Sequence, residues 1–451
     1  MKHPMHRAFR KVFLALAIAA GSSAAAHAAL VSADAAAYLG LDRDWSTQAP
    51  IDTSRSRVAQ SALAGDRLYV LSTAGVLQSV DTATGASLWT TRLGDPRFPS
   101  LGVAAQGEDV AVVNGTTLYV FDSANGRERF HAPLKGAPGA GPVIAAGSVF
   151  VPLIDGRIEA LAIDRDKGRS WSYQASGNLF YPGAVGEERV FFANTSGELF
   201  AVASDRSGAA FRYETDSPIV APPAPLGGMV YIATRNGYLH ALDQLSGQQR
   251  WRGVVGEIVS HGPHAIDGRV YLLTDAPSMH AFDAATGEML WHTSGIERFV
   301  SASDKRVHAI DRRGALVVLD RETGRVVSRR SVGESFNTVR NDENDRLFLL
   351  TDSGYLQCLH EKSPEKGEAD AATETPAADE PAADDPADAP IADDPFAVIE
   401  EEEEPFTADE PEEPVVEEPA EEEPAAEDPF NAADPFGGDD PFGGEDPFGD
   451  F

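Results

Sequence analysis

A turn that returns about every forty residues limits this chain more than any other feature. Gly85, Gly126, Gly168, Gly208, Gly247, Gly287 and Gly324 stand 41, 42, 40, 39, 40 and 37 residues apart, inside stretches such as LQSVDTATGASLW, LYVFDSANGRERF, LHALDQLSGQQRW and MHAFDAATGEMLW. One such unit is too small to bury its own apolar face, so neighbouring copies must complete it.

Each copy reads in the same way. A β-branched and aromatic run (RLYVLS, RVFFAN, MVYIAT, RVYLLT) precedes a Gly turn and a second strand that ends on Asp. In five copies that residue is Asp81, Asp122, Asp243, Asp283 or Asp320, four positions before the glycine. Asp accepts hydrogen bonds from the backbone ahead of it, and Gly takes positive φ at little cost, so Asp-x-x-x-Gly is a tight turn. A third strand follows and often closes on Trp, as at Trp89, Trp171, Trp251 and Trp291. A further segment such as VAQSALAG or GPVIAAG leads into the next copy as its innermost strand. Four alternating strands per period predict propeller blades, whereas a helical solenoid needs apolar spacings of three and four.

The last copy is incomplete. RLFLLTDSGYLQCLH opens an eighth unit, but the Asp-Gly-Trp strand never follows. That strand is in surplus at the other end, where Trp45 stands before Gly65 much as Trp89 stands before Gly107. The expected fold is therefore all-β, an eight-bladed propeller whose N-terminal strand completes the last blade and leaves only short, protected edges.

The units VYIATRNGYLHALDQLSGQQRW and VYLLTDAPSMHAFDAATGEMLW resemble the repeats of the eight-bladed propellers named after pyrroloquinoline quinone. The resemblance covers residues 40–361 and implies either of two functions, since that family holds quinoprotein dehydrogenases and BamB-like, non-catalytic scaffolds of outer-membrane assembly. The layout is closer to the second group. The dehydrogenases hold a quinone with Ca²⁺ and often place a disulfide of adjacent cysteines over it, which a chain with one Cys cannot form. Their long insertions between blades are also missing here. No cofactor is expected.

Candidate chemistry in the body is sparse. The recurring Asp residues belong to turns, and Cys358 sits in the strand YLQCLH, where a buried thiol is expected. His261 and His264, in SHGPH, precede the innermost strand of blade six and are weak candidates for a metal site, since Zn²⁺ needs three or four ligands and no second cluster supplies them. His240 and His280 occupy the same place in successive copies, which a repeat position explains. No catalytic residue is assigned.

Both ends of the chain differ from its body. Lys2, Arg7, Arg10 and Lys11, the apolar VFLALAIAA and the small residues AHA at 26–28 read as a secretory leader over residues 1–28. No segment has the ~20 apolar residues of a transmembrane helix. No Cys follows the cleavage site, so no N-terminal lipid anchor is expected. Residues 362–451 hold 33 Asp and Glu against two Lys, which leaves 38 acids and 35 bases before them. Neither part has the basic surplus of a nucleic-acid binder. This acidic Pro/Ala/Glu/Asp tail is expected to be disordered.

Within the tail, Phe396, Phe406, Phe430, Phe436, Phe442 and Phe448 each follow Asp-Pro or Glu-Pro. Such phenylalanines read either as repeated interaction motifs or as low-complexity sequence that merely solvates the propeller.

The expected domains are thus the leader (1–28), the propeller (29–361) and the tail (362–451). The expected function is that of an exported monomer of the periplasm or cell envelope, soluble or peripherally associated, which binds protein partners through propeller loops, blade edges and the tail. A quinone- or metal-dependent oxidoreductase is the alternative, and a cell-wall or carbohydrate binder a weaker one.

Overall fold

The structure, a computed structural model, describes residues 30–164, 168–332, 336–339, 341 and 345–362. The expected leader and the acidic tail beyond Lys362, with its six Asp-Pro-Phe and Glu-Pro-Phe triplets, lie outside the described residues.

Eight four-stranded antiparallel sheets form the blades of a propeller. Blades one to seven span residues 58–92, 100–133, 143–174, 184–214, 224–254, 264–294 and 296–331, each ordered from first strand to fourth. Neighbouring blades meet through their first strands, which puts these innermost and the Trp-bearing fourth strands outermost. Blade eight takes Asn337–Thr338, Leu347–Leu350 and Tyr355–Glu361 from the end of the described chain. Its fourth strand is Leu41–Gln48, antiparallel to Tyr355–Glu361 with Trp45 opposite Cys358. The N-terminal strand thus closes the ring, as the surplus and the deficit of strands require.

Burial lies between blades rather than within any one of them. One apolar cluster occupies each seam: Tyr69, Leu71, Val110 and Phe121 join blades one and two, while Trp45, Leu68, Val80 and Phe348 join blades eight and one. The middle strands carry the buried residues, and the fourth strands are mostly exposed.

The Asp-x-x-x-Gly turn also holds the blades together. Asp81 Oδ1 accepts the backbone N–H groups of Ala83 (3.1 Å) and Thr84 (2.8 Å), while Gly85 N donates to Asp81 O (2.9 Å). This turn points Thr82 O at the preceding blade, where Trp45 Nε1 (2.9 Å) and Arg346 Nη1 (2.7 Å) both donate to it. The pattern repeats. Ser123 O takes Trp89 Nε1 (2.8 Å) and Arg67 Nη1 (2.9 Å), Ala284 O takes Trp251 Nε1 (3.0 Å) and Tyr231 OH (2.9 Å), and Arg321 O takes Trp291 Nε1 (2.8 Å) and an Arg269 N–H.

At each of these seams the Trp ring covers the turn glycine. A Cβ added to Gly85, Gly126, Gly287 or Gly324 would lie 2.5 Å from a ring carbon of Trp45, Trp89, Trp251 or Trp291 respectively. Phe211 covers Gly247 in the same way without the N–H donor. The other two sequence-assigned turn glycines differ: Gly208 has open space beside it, and Gly168 faces Ala162. Trp171 is half-buried and packs edge-on against Phe150 of its own blade, at 5.8 Å.

One seam is built differently. In blade seven the fourth strand, Val326–Ser331, has Ser328 where strands such as Ser87–Arg92 and Met289–Ser294 have Trp. An N-terminal helix, Ala33–Tyr38, packs at this seam instead, an element the repeat pattern did not anticipate. Ser32 caps it, its Oγ accepting Ala35 N at 3.2 Å. Leu30, Val31, Ala35, Ala36 and Leu39 join Val318 of blade seven and Leu347 and Leu359 of blade eight in one buried cluster. The buried Gln357 amide fixes the approach, accepting Val31 N (2.9 Å) and donating to Val31 O (2.8 Å).

Candidate functional site

The first strands of blades one to four wall a recess of about 700 Å³ at the axis. Small and apolar residues line it, among them Ala104, Gly139, Pro142, Phe180 and Val185, and none of its described lining residues ionises. Blades two and three approach closely here: a Cβ on Gly102 would stand 2.3 Å from Gly141 Cα. These walls offer shape and apolar contact rather than acid-base chemistry.

Three further groups carry residue types capable of chemistry. His264 lies in the innermost strand His264–Ile266 with its ring stacked on Phe299 at 4.5 Å, and His261 is exposed with Nδ1 2.9 Å from Ser260 Oγ. Among the described residues no group of three or more His, Cys, Asp or Glu side chains is placed to hold a metal ion. Cys358 is fully buried, and burial raises its thiol well above the usual range, so it is a packing residue.

The third group has the connectivity of a hydrolytic triad. Ser301 Oγ lies 3.2 Å from His308 Nδ1, and His308 Nε2 lies 3.6 Å from Glu361 Oε1. Ser301 and His308 are both 0% exposed, however, so the hydroxyl cannot meet a substrate. Burial also holds the His308 ring neutral, pushing it down to about 3, well below what a general base working near neutral pH needs. Sequence spacing had given no sign of this group, because its three members come from two blades.

One face of the propeller does present a surface suited to binding. It carries the turns between second and third strands together with the connections between blades. Phe98, Ile154, Phe180 and Ile258 stand out from it, exposed by 54%, 39%, 47% and 52%. Three of these backbones are tied down: Asn114 Nδ2 donates to Phe98 O (3.0 Å), Asn178 Nδ2 to Ile154 O (2.7 Å) and Asp275 N to Ile258 O (2.9 Å). Apolar side chains on a fixed backbone lose little freedom when a partner covers them. The repeat pattern could not reveal them, because they lie in connections that vary from blade to blade.

Fold and surface together define a ring of eight blades built from repeats of the pyrroloquinoline-quinone type, with a largely apolar recess among its first strands and apolar side chains on its loop face. The chain belongs to the family described as outer membrane protein assembly factor BamB, whose model matches residues 73–205, 176–257, 235–345 and 281–367. Over 112 residues the chain is 29% identical to the outer membrane protein assembly factor BamB of Burkholderia pseudomallei (strain K96243). That match covers 24% of this chain and 28% of the relative, so it spans less than a third of the relative's length. BamB from Moraxella catarrhalis has a similar structure, with a TM-score of 0.58 and 18% identity over 72% of this chain and 99% of that one. Sqt1 of Saccharomyces cerevisiae reaches 0.55 at 10% identity, over 71% and 98% of the two chains. At these identities the structural likeness shows the fold alone. No helix of the described residues is long and apolar enough to cross a membrane.

Proposed function

We propose that the chain is an exported, non-catalytic adaptor of the cell envelope that works without a bound cofactor and holds a protein partner during outer-membrane protein assembly. The observation that carries this reading is the loop face, where Phe180 is exposed and Phe98, Ile154 and Ile258 are exposed on a pinned backbone. Membership of the BamB family supports the assembly role. The burial of Ser301 and His308 supports a structural rather than a catalytic use of the one triad-like group.

Crosslinking and recovery of partners from native envelopes tests the reading. The full chain should recover a specific envelope protein, and Phe98→Ser/Phe180→Ser should lose it while keeping the wild-type melting temperature. A stoichiometric chromophore or metal in the purified protein, with no enriched partner, would overturn the adaptor role in favour of an oxidoreductase.

A further inference from the structure

The outer strand of blade seven, Val326–Ser331, has no buried residue, as in blades three and four, and Val326 and Val327 are 45% and 50% exposed. As the last strand of its sheet it has, like every outer strand here, one backbone edge without a strand partner among the described residues. Ser328 fills the position where five other blades have Trp and two have Phe, and its buried Oγ has no hydrogen-bond partner among the described residues.

Beside Val327 and Ser328 opens a recess of about 850 Å³, bounded also by Leu39, Val318 and His308 and by charged residues of both signs, among them Lys305, Arg306, Asp345 and Glu361. His308 Nε2 is buried there, 3.6 Å from Glu361 Oε1 and with no hydrogen bond among the described residues. The other seams show what this position accommodates, since Trp45, Trp89, Trp251 and Trp291 each lay an indole over the neighbouring turn and donate their N–H.

The other end of the same strand is basic. Arg313, Arg329 and Arg330 line a second recess of about 550 Å³ whose one carboxylate belongs to Asp311. Asp311 is buried and already engaged with Arg329, at 3.3 Å. Arg330 lies 5.5 Å from the Tyr38 ring centroid, and Arg312 is exposed next to Arg313. Adjoining residues of one strand border both recesses, and at roughly 3.3 Å per residue a short extended peptide reaches from one to the other.

We propose that this edge of blade seven is a docking site for an extended segment of a partner protein that carries a tryptophan followed by acidic residues. The indole enters the recess at Ser328, the carboxylates meet the arginine fork donors of Arg313 and Arg330, and the backbone lies along the free edge. The site is separate from the loop face of blades one to five.

The test is titration of the full chain with the peptide acetyl-GWGEEE-amide, followed by fluorescence anisotropy of a labelled copy. Binding should weaken with salt, and GAGEEE and GWGKKK should bind at least about tenfold more weakly. Ser328→Trp, which fills the recess from within, and Arg313→Glu/Arg330→Glu should each lose about tenfold or more, whereas Phe98→Ser/Phe180→Ser should bind the peptide as wild type does. If Ser328→Trp fails to fold, Ser328→Phe and the arginine pair decide the matter.

Affinities that agree within about twofold across the peptides or across the variants would overturn the proposal, as would no binding at millimolar peptide. So would a concentration-dependent dimer in ultracentrifugation that Arg313→Glu/Arg330→Glu dissolves, because the occupant would then be a second copy of this chain. Loss of peptide binding with partner recovery intact would sink this site and leave the loop-face reading standing.

Discussion

The indole of Trp45 lies over Gly85 so closely that a β-carbon on that glycine would stand 2.5 Å from the ring. Trp45 belongs to blade eight and Gly85 to blade one, so this contact joins the two ends of the ring. Trp89 and Gly126 meet in the same way between adjacent blades of continuous sequence. Closure therefore uses the same seam contact as the rest of the molecule.

Trp45→Ala should cost about 3–5 kcal/mol, the range of a large buried aromatic, with the hydrogen bond to Thr82 O lost as well. Trp171→Ala should cost clearly less, since Trp171 is half-buried and covers no turn glycine. Urea unfolding of both variants checks the order. Equal costs would show that the indole seam is not what closes the ring.

Gly85→Ala meets two obstacles, a φ of +72° and the ring of Trp45. Gly65→Ala meets only the first, with a φ of +58° and open space beside it. The second variant should lose about 1 kcal/mol and the first several times as much. Thermal unfolding of the pair measures the difference, and Gly85→Ala/Trp45→Ala should recover part of the loss.

Gln357→Leu should destabilise by about 2–4 kcal/mol, because it removes two buried hydrogen bonds and leaves the backbone groups of Val31 without them. Hydrogen exchange should rise first in residues 30–39 and in blades seven and eight. Uniform loss of protection would show that the helix is not a separate clasp.

His308 should give the protein an acid-sensitive limb. Its ring is buried with a folded value near 3, against about 6.5 in the unfolded chain. Between those values the unfolded chain binds more protons than the folded one, so the stability present above pH 6.5 falls as the pH drops towards 3. His240 and His280 are also pushed down by burial and act in the same direction. His308→Gln should flatten the dependence of urea midpoint on pH in this window, and an unchanged slope would remove His308 from the account.

The blades could be read from sequence because their signals are local. Asp81, Thr84 and Gly85 make their turn among themselves, and strand alternation needs only neighbouring residues, so spacing revealed the repeat and the misplaced Trp45. The helix at 33–38 was not legible. Its six residues fall below the length at which a helix holds by itself, and burial against blades seven and eight sustains it.

By itself, then, the sequence determined the all-β class, the blade count and the strand that closes the ring, since a repeat that cannot bury its own face must stack on its like. Only the tertiary structure decided which face presents Phe98 and Phe180, that Ser301 and His308 are sealed from solvent, and that the seam at Ser328 lacks an indole. Those outcomes depend on residues that meet across seams, such as Arg346 with Thr82 and Gln357 with Val31, 264 and 326 positions apart. No local pattern encodes such a meeting, because the partners become neighbours only once the ring has closed.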